Sequence, residues 1–201
     1  LVPYGIDNDA LKNLGRTIEA WMRVDNLENA LPFYRLKATP GDTTEVSTIH
    51  AGNFALSLME HTLLPAIADP KVIFGLDTSC SEAHRFHARG FRGIQDAQQI
   101  LEGHSLCAFF GASLSLKAGE SRIINSLYGY APSLSTIQAS LETLRRPHFF
   151  DEKLREARRL TEDLTEKVRT ESGLTYFNGY CRQTFLDNLI RGGYPLLLGQ
   201  R

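Results

Sequence analysis

Hydrophobic positions follow a helical period near the start of the chain and a strand period further on. Leu11, Leu14, Ile18 and Met22 recur every three or four residues, which predicts an amphipathic helix near residues 9–24 that begins at Asp9. From residue 43 the period becomes two, and apolar residues alternate with Ala, Ser and Met over residues 54–59. This alternation predicts a strand with one buried face.

The most regular strand pattern covers residues 106–116, where Leu, Ala and Phe occupy every second position. A turn at residues 118–121 and a return strand at 123–130 complete a predicted hairpin. Residues 63–68 and 72–76 flank another predicted turn at residues 69–71. Several strands with turn residues between them favour a β-sandwich over residues 1–131.

After Ala131-Pro132 the pattern changes to helices. Ser133 is placed to cap one helix that Pro147 ends, and Asp151 begins a second, charged helix that Ser172-Gly173 terminates. A third helix is predicted over residues 176–191. We therefore expect a domain boundary near residue 131, with helices from there to the end of the chain.

The composition excludes some classes of partner. The 201 residues include 22 Lys and Arg against 23 Asp and Glu, a net charge of −1. This balance provides no field for binding nucleic acid or an anionic membrane surface. The three cysteines are odd in number and far apart, so a reducing, cytoplasmic location is expected. Neither terminus resembles a natural end, which suggests that the chain is part of a longer protein.

Candidate catalytic groups are few and weakly patterned. His84 and His87 are three residues apart beside Glu82, a spacing that suits metal ligands on a helix. The surrounding Gly and Arg residues favour a surface loop instead, so no metal site is predicted. Asp77, Glu82 and Asp187 are candidate general acids or bases, but nothing pairs them in sequence, and a capping or salt-bridging role is favoured for each.

Residues 175–195 have the most unusual composition, because aromatic rings, amides, a carboxylate and arginines alternate with few aliphatic residues. Sugar-binding sites use this chemistry: rings stack on pyranose faces, while amides, carboxylates and guanidinium groups bind hydroxyls. The alternative is an ordinary amphipathic helix that buries Phe177, Tyr180, Thr184 and Leu189. Composition alone leaves both interpretations open.

Within that segment, the run from Phe177 to Asn188, followed by Arg-Gly-Gly-Tyr-Pro at 191–195, resembles the start of the catalytic barrel in large relatives of cellobiose phosphorylase. The β-1,3-glucan phosphorylase branch is the most similar. Shorter similar pieces occur in the same order upstream, at residues 19–22, 31–36, 51–54, 72–79, 107–111 and 119–121.

The resemblance implies a fold and a domain order. A super-β-sandwich of the galactose mutarotase-like kind would occupy residues 1–131, a helical linker residues 132–173, and the first helix of a truncated (α/α)6 barrel residues 174–201. It also implies a homodimer formed through the sandwich domain.

The implied activity is inverting phosphorolysis, in which inorganic phosphate attacks the anomeric carbon of a β-glucan or disaccharide and α-glucose 1-phosphate is released. Phosphate is then a co-substrate, and no metal or organic cofactor is implied. In the family, the general acid and the phosphate-binding residues lie further into the barrel, so this chain carries no catalytic residue and is expected to be inactive alone. The resemblance places Asn178, Arg182, Gln183, Asp187 and Asn188 near the donor sugar.

Two other classes of function remain open. One is a non-catalytic carbohydrate-binding or oligomerisation module that uses exposed aromatic residues such as Trp21, Phe33 and Tyr34. The other is a glycoside hydrolase of similar architecture, in which water replaces phosphate.

Overall fold

The alternating residues of the first half form antiparallel strands in a computed structural model, which describes residues 17–37 and 48–193. The strands, in chain order, are β1 (Met22–Asp25), β2 (Phe33–Leu36), β3 (Gly52–Met59), β4 (Thr62–Leu63), β5 (Ala66–Ile67), β6 (Phe109–Phe110) and β7 (Ile124–Ala131). After a helical segment at residues 17–21, the α-helices are α1 (Pro70–Phe74), α2 (His84–Arg89), α3 (Leu134–Leu144), α4 (Phe149–Glu166) and α5 (Thr175–Ile190). The chain divides into two compact units between Pro147 and His148.

The strand predicted at residues 54–59 is confirmed as β3, the central strand of the five-stranded sheet. Both of its faces are buried, however, and not only one as its alternation predicted. One of its edges pairs with β2 and then with β4, and its other edge pairs with β7 along its whole length, from Gly52 opposite Ala131 to Met59 opposite Ile124. β1 pairs with β2 beyond it. A Cβ atom built on Gly52 would lie 2.4 Å from the carbonyl oxygen of Tyr34, so the close approach of β2 and β3 requires glycine there.

The predicted hairpin of residues 106–116 with 123–130 is wrong, although its return strand is confirmed as β7. Only Phe109 and Phe110 form a strand in the first segment, and they pair with β5. The backbone N–H of Cys107 donates to the carbonyl of Ala68 at 2.8 Å, and the Tyr34 hydroxyl donates to the carbonyl of Cys107 at 2.6 Å. These bonds direct the segment to β5 rather than to β7.

Residues 72–76 form no strand, because the turn residues before them act as a helix start. Asp69 is the N-cap of α1, its side chain accepts from the N–H of Lys71 at 2.9 Å, and Pro70 is the first helical residue. Proline is favoured at that position, where its missing N–H costs nothing. The second carboxylate oxygen of Asp69 accepts from the N–H of Ile100 at 3.0 Å, which ties the helix to the following loop.

The predicted helix near residues 9–24 is confirmed over residues 17–21 and is wrong from Met22, where β1 begins. Residues 9–16 lie outside the described residues. Backbone pairing of Met22–Asp25 with β2 replaces the helical bonds there. One core cluster nonetheless contains Ile18, Met22 and Val24 together with Tyr34 and Leu106. The spacing of the apolar residues therefore predicted which side of the segment is buried, but it did not predict that the segment changes from helix to strand.

Helices follow the strands, as the change of pattern at residue 131 predicts. Ser133 caps α3, since its hydroxyl accepts from the N–H of Thr136 at 3.2 Å. The first compact unit continues to Pro147, so α3 belongs to the unit of the sheets. The described chain thus combines antiparallel sheets with two short helices between β5 and β6 and three longer helices after β7. Among its described residues no helix is both long and apolar enough to span a membrane.

Candidate functional site

The second compact unit contains the segment with the sugar-binding composition, and that segment is helix α5. Its side chains do not divide into one apolar and one polar face. Tyr176 is 94% exposed, Tyr180 67% and Phe177 51%. Phe177 and Tyr180 are therefore not the core residues of an ordinary amphipathic helix.

One face of α5 lines a cleft of about 390 Å³. Thr175, Asn178, Gly179 and Arg182 contribute from the helix, at the i, i+3, i+4 and i+7 spacing of a single face. Arg169, Thr170 and Glu171 contribute from the segment that follows α4. The loop around Ser172 and Gly173 reverses the chain and brings these two sets of residues together.

Asn178 holds this reversal in place. Its Oδ1 atom accepts hydrogen bonds from the backbone N–H of Ser172 at 3.0 Å and from the Ser172 hydroxyl at 2.9 Å. A backbone N–H can only donate, so the oxygen of the amide must face Ser172. The amide nitrogen, Nδ2, then remains as the hydrogen-bond donor that this side chain can offer to a ligand in the cleft.

The charges at the cleft are balanced. Arg169 contacts Glu166 at 3.4 Å and Glu171 at 2.9 Å, and Arg182 contacts Glu166 at 3.6 Å. Two guanidinium groups thus share two carboxylates. All four side chains are more than 40% exposed, so each pair contributes little to stability, but together they leave the cleft without a net positive charge.

The five residues that the resemblance places near the donor sugar lie on different faces of α5. Asn178 and Arg182 line the cleft, whereas Gln183, Asp187 and Asn188 do not. Asp187 lies nine residues after Asn178, which is two and a half helical turns, and therefore faces the opposite side. It pairs with Arg191 at 3.0 Å, while Asn188 donates from Nδ2 to the carbonyl of Thr184 at 2.9 Å.

A different face of α5 carries a second group of exposed side chains. Tyr176, Tyr180, Gln183 and Asp187 follow the i, i+4, i+7 and i+11 spacing of one helical stripe, and all four are exposed. We call this set the tyrosine stripe. It combines two aromatic rings with an amide and a carboxylate. The composition of the segment indicated these residue types, but only the helical phase separates the stripe from the cleft.

Asp77 is not suited to act as a general acid. Its carboxylate accepts five hydrogen bonds, from the hydroxyls and backbone N–H groups of Ser79 and Ser81 and from the N–H of Glu82. The Ser79 hydroxyl, then the Glu82 N–H and the Ser81 hydroxyl, hold the pKa of this carboxyl well below its ordinary value. The group therefore stays ionised and organises the loop, which agrees with the structural role that was favoured.

The two histidines with metal-ligand spacing lie on a helix and not in the predicted loop. Helix α2 spans His84–Arg89 and ends at Gly90, whose φ of 63° suits glycine. Glu82 lies 3.7 Å from Nε2 of His84. Within residues 17–37 and 48–193, no group of three His, Cys, Asp or Glu side chains is placed to hold a metal ion.

Two of the aromatic residues suggested for a binding surface are in the core. Phe33 and Tyr34 are each 1% exposed, because these neighbours on β2 point to opposite faces of the strand and both faces are covered there. They cannot contact a glycan or a partner. On β7, in contrast, Tyr128 and Tyr130 are about half exposed.

Comparison with known proteins adds no relative to this picture. No protein-family model matches the chain, and no curated protein sequence matches it.

Proposed function

We propose that this chain is the N-terminal part of an inverting glycoside phosphorylase that cleaves β-glucosides or β-glucans with inorganic phosphate. Its residues up to 131 would form part of a super-β-sandwich, followed by linker helices and by α5 as the first helix of an (α/α)6 barrel. The order of antiparallel sheets and helices supports this arrangement. So does the position of the most family-like run, Phe177–Asn188, on a helix with exposed polar and aromatic residues.

The observation that carries the proposal is the tyrosine stripe. Tyr176 and Tyr180 are one helical turn apart and are 94% and 67% exposed. Exposed apolar residues that form a patch mark binding surfaces, and two aromatic rings one turn apart offer successive stacking surfaces to a sugar chain. Gln183 and Asp187 continue the stripe with groups that bind hydroxyls.

In the proposed reaction, phosphate attacks the anomeric carbon from the face opposite the leaving oxygen, and a carboxylic acid protonates that oxygen as the bond breaks. The products are α-glucose 1-phosphate and the shortened glucan. No residue in this chain is assigned as that acid. The role of the chain is to hold the sugar and the first barrel helix in position.

The test is a phosphorolysis assay on the full gene product that contains this chain. We expect release of glucose 1-phosphate from laminari-oligosaccharides or cellobiose only when phosphate is present. Substituting Tyr176→Ala and Tyr180→Ala together should raise KM, because a stacking surface is lost. Turnover that is equal without phosphate would identify a hydrolase instead and would overturn the proposal.

A second candidate function is a non-catalytic glycan-binding or oligomerisation module formed by the sheet. It is favoured by β7, which contains no charged residue and no proline and exposes Ile124, Tyr128 and Tyr130. Strand edges of that kind are usually protected by charges or covered by a partner. Loss of glycan binding or of a dimer in Tyr128→Ala, with normal behaviour of the Tyr176→Ala variant, would favour this candidate.

A further inference from the structure

The cleft beside α5 is a separate site from the tyrosine stripe and has the size of a site for one small ring. Its volume of about 390 Å³ falls at the lower end of the range of about 300–1,000 Å³ for ligand pockets. Six of the seven residues that line it can form hydrogen bonds through their side chains: three with hydroxyl or amide groups, two arginines and one glutamate; the seventh is a glycine. These side chains can bind the hydroxyl groups of a ligand.

The charge balance of the cleft selects against an anion. Glu166 and Glu171 already occupy the guanidinium groups of Arg169 and Arg182, at distances between 2.9 and 3.6 Å. A phosphate would have to displace these carboxylates and would then lie close to Glu171, which lines the same cleft. A neutral ligand with hydroxyl groups can accept hydrogen bonds from the arginines and donate hydrogen bonds to the glutamates without breaking any of the three ion pairs.

One hydroxyl in the cleft lacks a partner. The Oγ1 atom of Thr170 is buried and has no hydrogen bond among the residues that the structure describes. Buried hydroxyl groups without a partner are rare in folded proteins, because the lost hydration is not replaced. Thr170 is among the residues that line the cleft and is only partly buried, so a ligand in the cleft is a source for the missing bond.

Gly179 keeps the cleft open at a cost to the helix. Glycine inside a helix is less favourable than alanine by about 1 kcal/mol. No atom lies within 4 Å of a Cβ built on Gly179, so neither packing nor backbone conformation within the described chain requires glycine. Its presence on the cleft face is explained if a ligand occupies the space that a side chain would fill.

We propose that this cleft binds one neutral pyranose unit, with Gly179 providing the space and Thr170 and the Nδ2 donor of Asn178 binding its hydroxyl groups. This inference extends the proposed carbohydrate function, on which its choice of ligand rests, by assigning a sugar subsite distinct from the tyrosine stripe. It does not depend on phosphate-driven cleavage.

The experiment is a titration of the 201-residue chain with glucose and laminaribiose, followed by NMR of the backbone amides. A subsite for one sugar should bind with a dissociation constant in the millimolar range, so concentrations up to about 50 mM suffice. We expect the amide signals of Thr170 and Gly179 to shift. Gly179→Leu should weaken this binding at least about tenfold, which corresponds to about 1.4 kcal/mol. Gly173→Leu, a matched change at a glycine with equal open space outside the cleft lining, should leave it within about twofold.

A second variant protects the test against loss of structure. Thr170→Val keeps the shape of the side chain and removes only the unpartnered hydroxyl, so it should fold normally and bind glucose more weakly. Normal binding by Gly179→Leu, displacement of the sugar by inorganic phosphate, or no saturable binding by the unsubstituted chain would each overturn the inference. If binding is lost only in the Tyr176→Ala, Tyr180→Ala variant, the cleft inference fails and the proposed function stands. If the cleft binds glucose but the full gene product needs no phosphate, the cleft inference stands and the proposed phosphorylase function fails.

Discussion

The oxygen of the Asn178 amide holds Ser172, whereas its nitrogen is proposed to bind a sugar hydroxyl. Two substitutions can separate these effects on stability and on binding. Asn178→Ala removes both bonds that Oδ1 accepts from Ser172, at 3.0 and 2.9 Å. A net value of about 0.5–1.5 kcal/mol for each bond gives a loss of about 1–3 kcal/mol. The better helix propensity of alanine returns up to about 0.7 kcal/mol. We expect the free energy of unfolding of the second unit to fall by about 0.3–2.3 kcal/mol.

Asn178→Asp should behave differently, because a carboxylate oxygen still accepts both bonds from Ser172. Residue 178 also lies in the first part of α5, where a negative charge is favourable. Stability should therefore be unchanged or slightly higher. The donor Nδ2, however, becomes a second acceptor, so glucose binding in the cleft should weaken about tenfold.

The measurements are urea unfolding followed by circular dichroism, hydrogen exchange of the α5 amides to localise the effect, and the glucose titration. Asn188 provides a matched control, because it is on the same helix, outside the cleft lining, and its Nδ2 bonds the carbonyl of Thr184. Asn188→Asp should leave glucose binding unchanged. The reasoning is refuted if Asn178→Asp is as unstable as Asn178→Ala, or if both Asn178 variants bind glucose normally.

Three further predictions concern the first unit. Iodoacetamide should label exposed Cys80 in the folded protein but reach Cys107 only on unfolding, because burial raises the pKa of the Cys107 thiol to about 12; equal labelling rates would contradict this. In the unfolded chain the pKa of this thiol is about 8.5, so the thiol contributes fully to the free energy of unfolding below about pH 8.5. This contribution is lost as the pH rises toward 12. Burial also raises the pKa of Tyr34, which adds to the loss. Urea midpoints at rising pH should therefore fall less in Cys107→Ala, and parallel curves would exclude this cause. Gly52→Ala should lower the free energy of unfolding by about 1–3 kcal/mol, since its Cβ would meet the Tyr34 carbonyl at 2.4 Å; Gly173→Ala, in open space, is the control.

The elements that the sequence predicted best are those whose local signals agree. The strand pattern of residues 54–59 and 123–130 gives β3 and β7, and Ser133 begins α3 as expected. At α1, two signals competed: Val72–Leu76 suggested an extended segment, but Asp69-Pro70 also forms a helix start. The Asp69 cap was decisive because its side chain accepts a hydrogen bond from a free backbone N–H group at the start of the helix. In a strand, the same N–H group would need a partner on a neighbouring strand.

The choice of strand partners could not be predicted from alternation. A period of two shows which side of a strand is buried, but it does not show which strand lies beside it. Residues 106–116 alternate without exception, yet Leu114 and Leu116 are 44% and 50% exposed. The position of that segment is determined by two hydrogen bonds of Cys107. One joins it to Ala68, which is 39 residues away in sequence, and the other joins it to Tyr34, which is 73 residues away. Such distant contacts leave no local signal.

The candidate site shows the same limit. The residue types of the α5 segment indicated sugar chemistry, but residues next to each other in the motif point about 100° apart around the helix axis and so lie on different faces. Arg182 lines the cleft, while Gln183 belongs to the tyrosine stripe. Thr170 and Glu171 join the cleft only because the chain reverses at Ser172. The one local signal that was available for the cleft is Gly179, a glycine in the interior of a predicted helix.

The charges around α5 also indicate how the work of a phosphorylase would be divided. Phosphorolysis requires cations that are free to receive a phosphate carrying nearly two negative charges. At α5, Arg182 pairs with Glu166, and Arg191 pairs with Asp187 at 3.0 Å. Recruiting Arg191 would leave Asp187 uncompensated beside the anion, and recruiting Arg182 would leave Glu166 with Arg169 as its one remaining described partner, at 3.4 Å. A carboxylate beside the anion opposes binding in both cases. Hydroxyl groups carry no such penalty, because they can donate to the carboxylate and accept from the guanidinium at the same time. We therefore expect the α5 surface to bind sugar, while the phosphate and the catalytic acid are held by residues outside those that the structure describes.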